Sequence, residues 1–436
     1  MRNVAVIGGG WAGCAAAVEL ASRGVSVQLF EAARTLGGRA RRVELNGVTL
    51  DNGQHILLGA YSETLRLMRM VGIDPDAALL RLPLQMRYPP NSGGMDFVTP
   101  KLPAPLHMLV GLWRATGLTR EDKLSLARFS TTARWMDWQL DNDCSVTELL
   151  ELFDQTDRLI RLMWRPLCIA ALNTPPERAS AQVFLNVLRD SLGARRGASD
   201  MLLPRVDLTT LFPQQAAAFV EQHGGKICCG SLVQRVCQDG PRWRLECTGA
   251  AIPLGDSFDA VVVATQPGHV ANLLDGIREI EPLPSFENEP ITTCYLQYKA
   301  ELKLTNPFFA LQENPVDEEW GQFVFDRGWM DARQAGLLAV VVSASSDAIA
   351  LGHQMLATSL SAQLARVFKH EELASPIWTK VITEKHATFS CRPALSRPAN
   401  ATALSGLAIA GDYTAGDYPA TLESAMRSGV QAARCL

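Results

Sequence analysis

No stretch of this chain approaches the ~20 consecutive apolar residues that a membrane-spanning helix requires. The most apolar run, Leu337 to Ser343, is short and valine-rich and reads as a buried strand. Lysine- or arginine-rich blocks are also missing. With a formal net charge of −4 over 436 residues, nothing electrostatic points to nucleic acid as a partner. Ten cysteines occur, but none belongs to a C-x-x-C pair and no regular spacing relates them. That excludes a zinc module and a disulfide framework, and the expectation is a reduced, cytoplasmic protein. Internal repeats and low-complexity segments are absent from the sequence. The chain enters a strand within its first residues, so no signal peptide is expected and any membrane contact would be peripheral, at the inner face. Hydrophobic residues make up 47% and charged ones 20%, the balance of a soluble globular protein long enough for two domains.

What is present is concentrated at the two ends. Val4 to Ile7 is an apolar run that suits a strand buried on both faces. Gly8, Gly10 and Gly13 follow in G-x-G-x-x-G spacing, then a small-residue helix that Gly24 ends. In such a loop Gly8 permits the tight turn, Gly10 lets the backbone approach a pyrophosphate, and Gly13 lets helix and strand pack closely. The helix N-terminus adds free N–H groups and a positive dipole end. A second apolar run, Val25 to Phe30, ends at Glu31. An acid there suits a ribose hydroxyl and argues against a bare NADP site, which would present a positive residue. Gly37-Gly38-Arg39 and Gly47-Val48-Thr49-Leu50-Asp51-Asn52-Gly53 come next. Near the other end stand Ile409-Ala410-Gly411-Asp412 and Pro419 to Gly429.

Together these parts resemble the signature of the FAD-dependent amine oxidase and phytoene desaturase superfamily. The resemblance implies an α/β fold: a two-dinucleotide-binding, Rossmann-like FAD domain, discontinuous over residues 1–80, 205–275 and 386–436. An α+β substrate domain with a helical insert would take 81–204 and 276–385. The implied cofactor is non-covalent FAD, since no cysteine lies between Gly411 and Gly429. Its contacts would come from Gly8, Gly10, Gly13, Glu31, Gly38, Arg39 and Gly53. Val233 would lie against adenine, and Gly411 and Asp412 would meet the ribitol and phosphate. Ala420, Thr421 and Leu422 would open a helix aimed at the isoalloxazine.

Between the ends, Ser62 is placed to cap a helix beginning at Glu63. Leu106 to Leu118 is an apolar segment with two readings, a core helix or an interfacial one that opens onto a substrate tunnel. Thr119-Arg120-Glu121-Asp122 is a good helix start. Helices are expected over Leu211–His223 and about Ser346–Val367, and strands over Lys226–Val236, Trp243–Thr248 and Phe258–Thr265.

Three reactions compete. An amine oxidase needs an aromatic cage, for which Tyr413 and Tyr418 are available. The tail Asp417-Tyr418-Pro419-Ala420-Thr421-Leu422-Glu423 is closer to isoprenoid desaturases, which act on phytoene-like chains. Asp51 to Tyr61, Leu202 to Leu208 and Gly411 to Thr414 resemble the squalene-associated branch, the hydroxysqualene dehydroxylases. That resemblance implies reductive removal of an allylic hydroxyl, giving squalene, within bacterial squalene and hopanoid synthesis. The implied partners are a long isoprenoid substrate and the prenyl-condensing enzymes that would make it. The alternatives remain a carotenoid-type desaturase, then an amine oxidase. A cofactor-free binding protein would have no use for the intact glycine spacing, Glu31 or Gly411-Asp412. Because hydroxide leaves poorly, an acid must protonate it, and His55, Arg205 and Asp207 are the candidates. Each also has a structural role open to it: Asp207 as a helix cap, His55 against the flavin or a backbone carbonyl, Arg205 orienting a carboxylate. No second complete nicotinamide loop is found, so the reductant is expected to be a transient NAD(P)H or a separate carrier.

Overall fold

Glycine and β-branched residues set the order of the first layer. A computed structural model describes residues 2–45, 47–90, 92–248, 257–277, 279–280 and 282–436. Val4, Ala5 and Val6 lie in the strand Asn3–Ile7 and are wholly buried, as a strand covered on both faces requires. It sits at the centre of a five-stranded parallel sheet whose order is Lys226–Cys229, Ser26–Glu31, Asn3–Ile7, Ala260–Val263, Leu407–Ile409. Counting these strands as they occur in the chain gives 3-2-1-4-5. The order reverses beside the first strand, which opens a crevice at the carboxyl ends. Gly8 to Gly13, Glu31 and Gly411-Asp412 lie at those ends, whereas Gly53 and Val233 belong to segments of other sheets.

The helix Trp11–Ser22 covers one face and is itself packed by Leu422–Arg434. The two approach so closely at Gly429 that a Cβ there would stand 2.1 Å from the Ala12 carbonyl oxygen.

A second five-stranded sheet is antiparallel, in the order Phe308–Ala310, Phe323–Asp326, Leu337–Ser343, Asn288–Gln297, Trp378–Phe389. Its residues alternate between faces. Cys294 and Leu296 join Leu356, Leu360 and Leu364 of the helix His353–Phe368 in one cluster. Thr293 and Tyr295 point the other way, toward the Asp51–Gly53 segment. Small two- and three-stranded sheets and a helical region make up the rest, and the helical core tilts Phe129 against Trp164 at 4.6 Å between ring centroids, with Phe184 beyond.

Several expectations are corrected. Lys226–Val236 is two strands in different sheets, because Gly230 (φ +70°) turns the chain and Leu232–Asp239 pairs with Arg242–Thr248. The helix expected from Leu211 starts at Pro213, preceded by a separate turn, Leu208–Leu211. Ser346–Val367 is broken at Gly352 into Ser346–Ala350 and His353–Phe368. Ser62 does not cap its helix. The N–H groups of Glu63 and Thr64 donate instead to the buried carboxylate of Glu423, at 3.1 and 2.9 Å. Leu106–Leu118 is not a core helix: the helix is Leu106–Arg114, buried only on the side of His107 and Gly111. The helix start expected at Thr119-Arg120-Glu121-Asp122 is there, and the structure adds that Thr119 and Asp122 form a capping box. No helix among the described residues is long and apolar enough to cross a membrane.

Candidate active site

The glycine loop separates internal packing from ligand binding, position by position. Gly8 has φ +106°, and a Cβ there would lie 2.5 Å from the Ala264 carbonyl oxygen. At Gly13 a Cβ would lie 1.9 Å from the Gly8 carbonyl oxygen. Both are glycine because the protein itself leaves no room. Gly10 differs: a Cβ would meet nothing nearer than the Gly38 Cα at 3.9 Å. The space over Gly10 is therefore kept open for a group from outside, which fits a pyrophosphate laid against the N-terminus of Trp11–Ser22. Gly38, at φ +60°, faces it from the second loop. Glu31 ends the second strand and receives N–H groups from Gly9 at 2.6 Å and Ala33 at 2.8 Å. Its carboxylate is thus pinned beside the loop with lone pairs left for a ribose hydroxyl. Val233 is buried on the strand Leu232–Asp239.

The C-terminal motif closes the crevice. Asp412 takes both oxygens to one nitrogen of Arg39, at 2.7 and 2.8 Å, so the Gly37-Gly38-Arg39 loop and the last sheet strand are tied together. The same guanidinium donates to the Ala387 carbonyl at 2.7 Å. Gly411 N–H donates to Ser428 Oγ at 2.9 Å, which fixes the loop against Leu422–Arg434. Thr421 caps that helix by accepting from Ser424 N–H at 3.1 Å, following Ala420 and preceding Leu422. The buried hydroxyls of Thr265 and Tyr413 have no partner among the described residues. Both follow carboxyl ends of the parallel sheet, where a polar ligand would supply the missing bonds. The donor set and the open glycine cradle fit FAD.

The antiparallel sheet forms the opposite wall. Tyr295 Oη donates to the Asp51 carbonyl at 2.8 Å, while the Asp51 carboxylate accepts Leu208 N–H at 2.8 Å. Burial pushes that carboxyl up to about 6, against the pull of Arg327. Arg327 is itself buried and holds Gln54 at 2.9 Å and Gln334 at 2.8 Å. His55 Nδ1 lies 2.9 Å from the Gly53 carbonyl oxygen. Because that oxygen only accepts, Nδ1 carries the proton. Burial pulls the imidazole below its ordinary value, in spite of that hydrogen bond.

The three candidate acids do not converge. Asp207 accepts Thr210 N–H at 2.9 Å and Thr210 Oγ1 at 2.7 Å, so its carboxylate caps Leu208–Leu211. Arg205 is exposed, and its backbone N–H donates to the Ala78 carbonyl at 2.9 Å. Asp207 lies next to Leu208, which bonds the Asp51 carboxylate, but its own carboxylate is spent on the cap; His55 stays beside the Asp51–Gly53 segment with Nε2 uncommitted. Sequence reading missed Arg327, Gln54, Tyr295 and Glu423. Gln54 and Glu423 had a signal, as members of the Asp-Asn-Gly-Gln-His run and of the Pro-Ala-Thr-Leu-Glu run. A cleft of about 370 Å³ opens between the helix Ala181–Ser191, the segment Phe389–Arg397 and the loop at Ala415–Asp417. Its lining is mixed: Val183, Phe389, Cys391 and Leu395 are apolar, while Asp143, Gln182, Asn186, Arg392, Arg397 and Asp417 are polar or charged.

Residues 11–436 match the family of flavin containing amine oxidoreductases. A hydroxysqualene dehydroxylase of Rhodopseudomonas palustris is 27% identical over 99% of this chain and 97% of its own length. A zeta-carotene desaturase of Synechocystis is 25% identical over 62% of this chain and 59% of its own. Among solved structures, cyclohexylamine oxidase from Brevibacterium oxydans has a TM-score of 0.66 at 16% identity, covering 99% of this chain and 98% of that one. At such identity the likeness is one of fold.

Proposed function

The chain belongs to the flavin containing amine oxidoreductase family and is an FAD-dependent oxidoreductase, and from that premise we propose that it reduces hydroxysqualene to squalene. One observation carries the choice of substrate. The hydroxysqualene dehydroxylase relative matches this chain end to end, whereas the zeta-carotene desaturase matches 62% of it. The alcohol would come from prenyl-condensing enzymes.

In this reaction the allylic C–O bond breaks and a C–H bond forms. The oxygen leaves as water after taking a proton. Bound FAD, when reduced, supplies the hydride. Gly10, Glu31, Gly38, Arg39, Gly53, Val233, Gly411, Asp412, Ala420, Thr421 and Leu422 would hold it, with Gly8 and Gly13 shaping the loop from within. The proton falls to the chain, and we assign it to His55 Nε2. Nδ1–H stays on the Gly53 carbonyl whether or not Nε2 is protonated, so the ring keeps its orientation as the proton comes and goes. Arg327, through Gln54, steadies the peptide that carries His55.

Holoenzyme reduced without oxygen and given hydroxysqualene in detergent tests this reading through extraction and identification of the product. Squalene is the expected product. Bleaching of the oxidised flavin by phytoene, with no squalene formed from hydroxysqualene, would replace the reading by desaturation. Bleaching by an amine would replace it by amine oxidation.

A further inference from the structure

The helices Leu106–Arg114 and Arg120–Trp135 expose more large apolar surface than any other neighbouring pair among the described residues. Leu106 is 49%, Leu109 55% and Trp113 76% exposed on the first, and Leu124 66% and Trp135 87% on the second. The spacing places Leu106, Leu109 and Trp113 on one face, opposite the buried His107 and Gly111. Leu124, Arg128 and Trp135 likewise share a face. Lys123 Nζ donates to the Trp113 carbonyl at 2.8 Å, and the charge of Arg134 reaches His107. The end of the first helix therefore meets the start of the second.

Charge decides what covers this surface. Residues 101–135 contain Lys101, Arg114, Arg120, Lys123, Arg128 and Arg134 against Glu121 and Asp122, a local +4 in a chain of −4. The remaining residues then carry −8. Asp122 is buried and bonded to Thr119 and Thr156, so the outward face is more basic still. A symmetric dimer through this face would set the basic patch against itself, which repels. Apolar side chains ringed by cations, with tryptophan at the edges, match an anionic bilayer: the stems bury, the charges meet headgroups, and indole suits the interface. The first helix, nine residues, is too short to cross and would lie in the interface.

We propose that this helix pair is the surface on which the protein sits upon an anionic lipid membrane. The proposal deepens the isoprenoid reading above, since such a substrate partitions into lipid, but the surface argument does not depend on that reading. Vesicle flotation of the FAD-loaded full chain tests it without substrate, comparing phosphatidylcholine with mixtures containing phosphatidylglycerol. The protein is expected to float with the anionic vesicles and less as salt rises. Leu109→Glu with Trp113→Glu is expected to weaken binding at least about tenfold. Arg120→Glu with Arg128→Glu is expected to do the same on anionic vesicles. Both are exposed sites, so flavin absorbance and melting should stay as in the wild type and rule out misfolding. Failure to float on anionic vesicles, unchanged flotation of both variants, or a wild-type dimer that Trp113→Glu splits would overturn the proposal. Detergent turnover is read separately: if it persists without flotation, the docking surface falls and the reaction stands; if flotation persists without turnover, the reverse holds.

Discussion

The cofactor crevice and the wall that faces it are built from different materials. At the crevice, backbone is what the chain offers to a ligand, and glycines make the room. Gly8 and Gly13 are forced by contacts under 3 Å, while Gly10 faces open space. Across from it, side chains reach over long stretches of sequence: Tyr295 to Asp51, Arg327 to Gln54. A backbone cradle tolerates few residue types and so prints itself in the chain. A side-chain wall can be assembled from many combinations and prints almost nothing.

The sharpest way to break that contrast is to put the same methyl group at two glycines. Gly13→Ala drives a Cβ into a carbonyl and is expected to cost more than about 3 kcal/mol, read by denaturant unfolding. Gly10→Ala should leave apoprotein stability within about 0.5 kcal/mol. It should, however, weaken FAD binding at least about tenfold, which is about 1.4 kcal/mol. Equal stability losses at the two positions would mean that Gly10, too, is an internal packing residue.

The facing wall is probed next through Asp51. Its folded pKa of about 6 lies above the ordinary 3.8, so the fold holds that proton more tightly than the unfolded chain does. The stability it contributes is fully present below pH ~4 and is lost as pH rises through ~6, up to about 3 kcal/mol. Asp51→Asn should flatten the stability curve across that window. A curve unchanged by the substitution would show that Asp51 is not the group titrating.

His55→Asn should lower the turnover of flavin-loaded enzyme by about a hundredfold, some 2.7 kcal/mol, with FAD affinity retained. Because the proposed role needs the imidazolium, and burial holds its pKa below the ordinary value, wild-type turnover should rise as pH falls. Full activity in the variant would remove His55 from the reaction. The smallest effect is expected at Asp207. Replacing it by alanine removes a helix cap and should cost about 1 kcal/mol of stability while turnover per folded enzyme is kept. Lost turnover at unchanged stability would return Asp207 to the chemistry.

Legibility follows the same division. The glycine spacing, Glu31, the Gly411-Asp412 motif and the helix start at Thr119 are local, each decided within a few residues. Glu423 was not legible as a cap because the N–H groups it serves lie some 360 residues earlier, at Glu63 and Thr64. Ser62 satisfied the local rule and lost to that buried carboxylate. Lys226–Val236 looked continuous because its apolar pattern is continuous. The break at Gly230 comes from Ser231 N–H donating to the Glu31 carbonyl, a tertiary contact. Leu106–Leu118 carried a helical apolar pattern, but the pattern alone does not say whether protein or something else covers it.

In the proposed reaction this crevice delivers hydride to a carbon that loses its hydroxyl as water. The most direct measurement is a single anaerobic turnover in deuterated water, with holoenzyme in reduced form and hydroxysqualene in excess. Reduced flavin exchanges its N5 hydrogen with solvent, so the squalene formed should carry one deuterium per flavin reoxidised, at the former carbinol carbon. Squalene without that deuterium, or flavin that stays reduced in the presence of hydroxysqualene, would contradict the account.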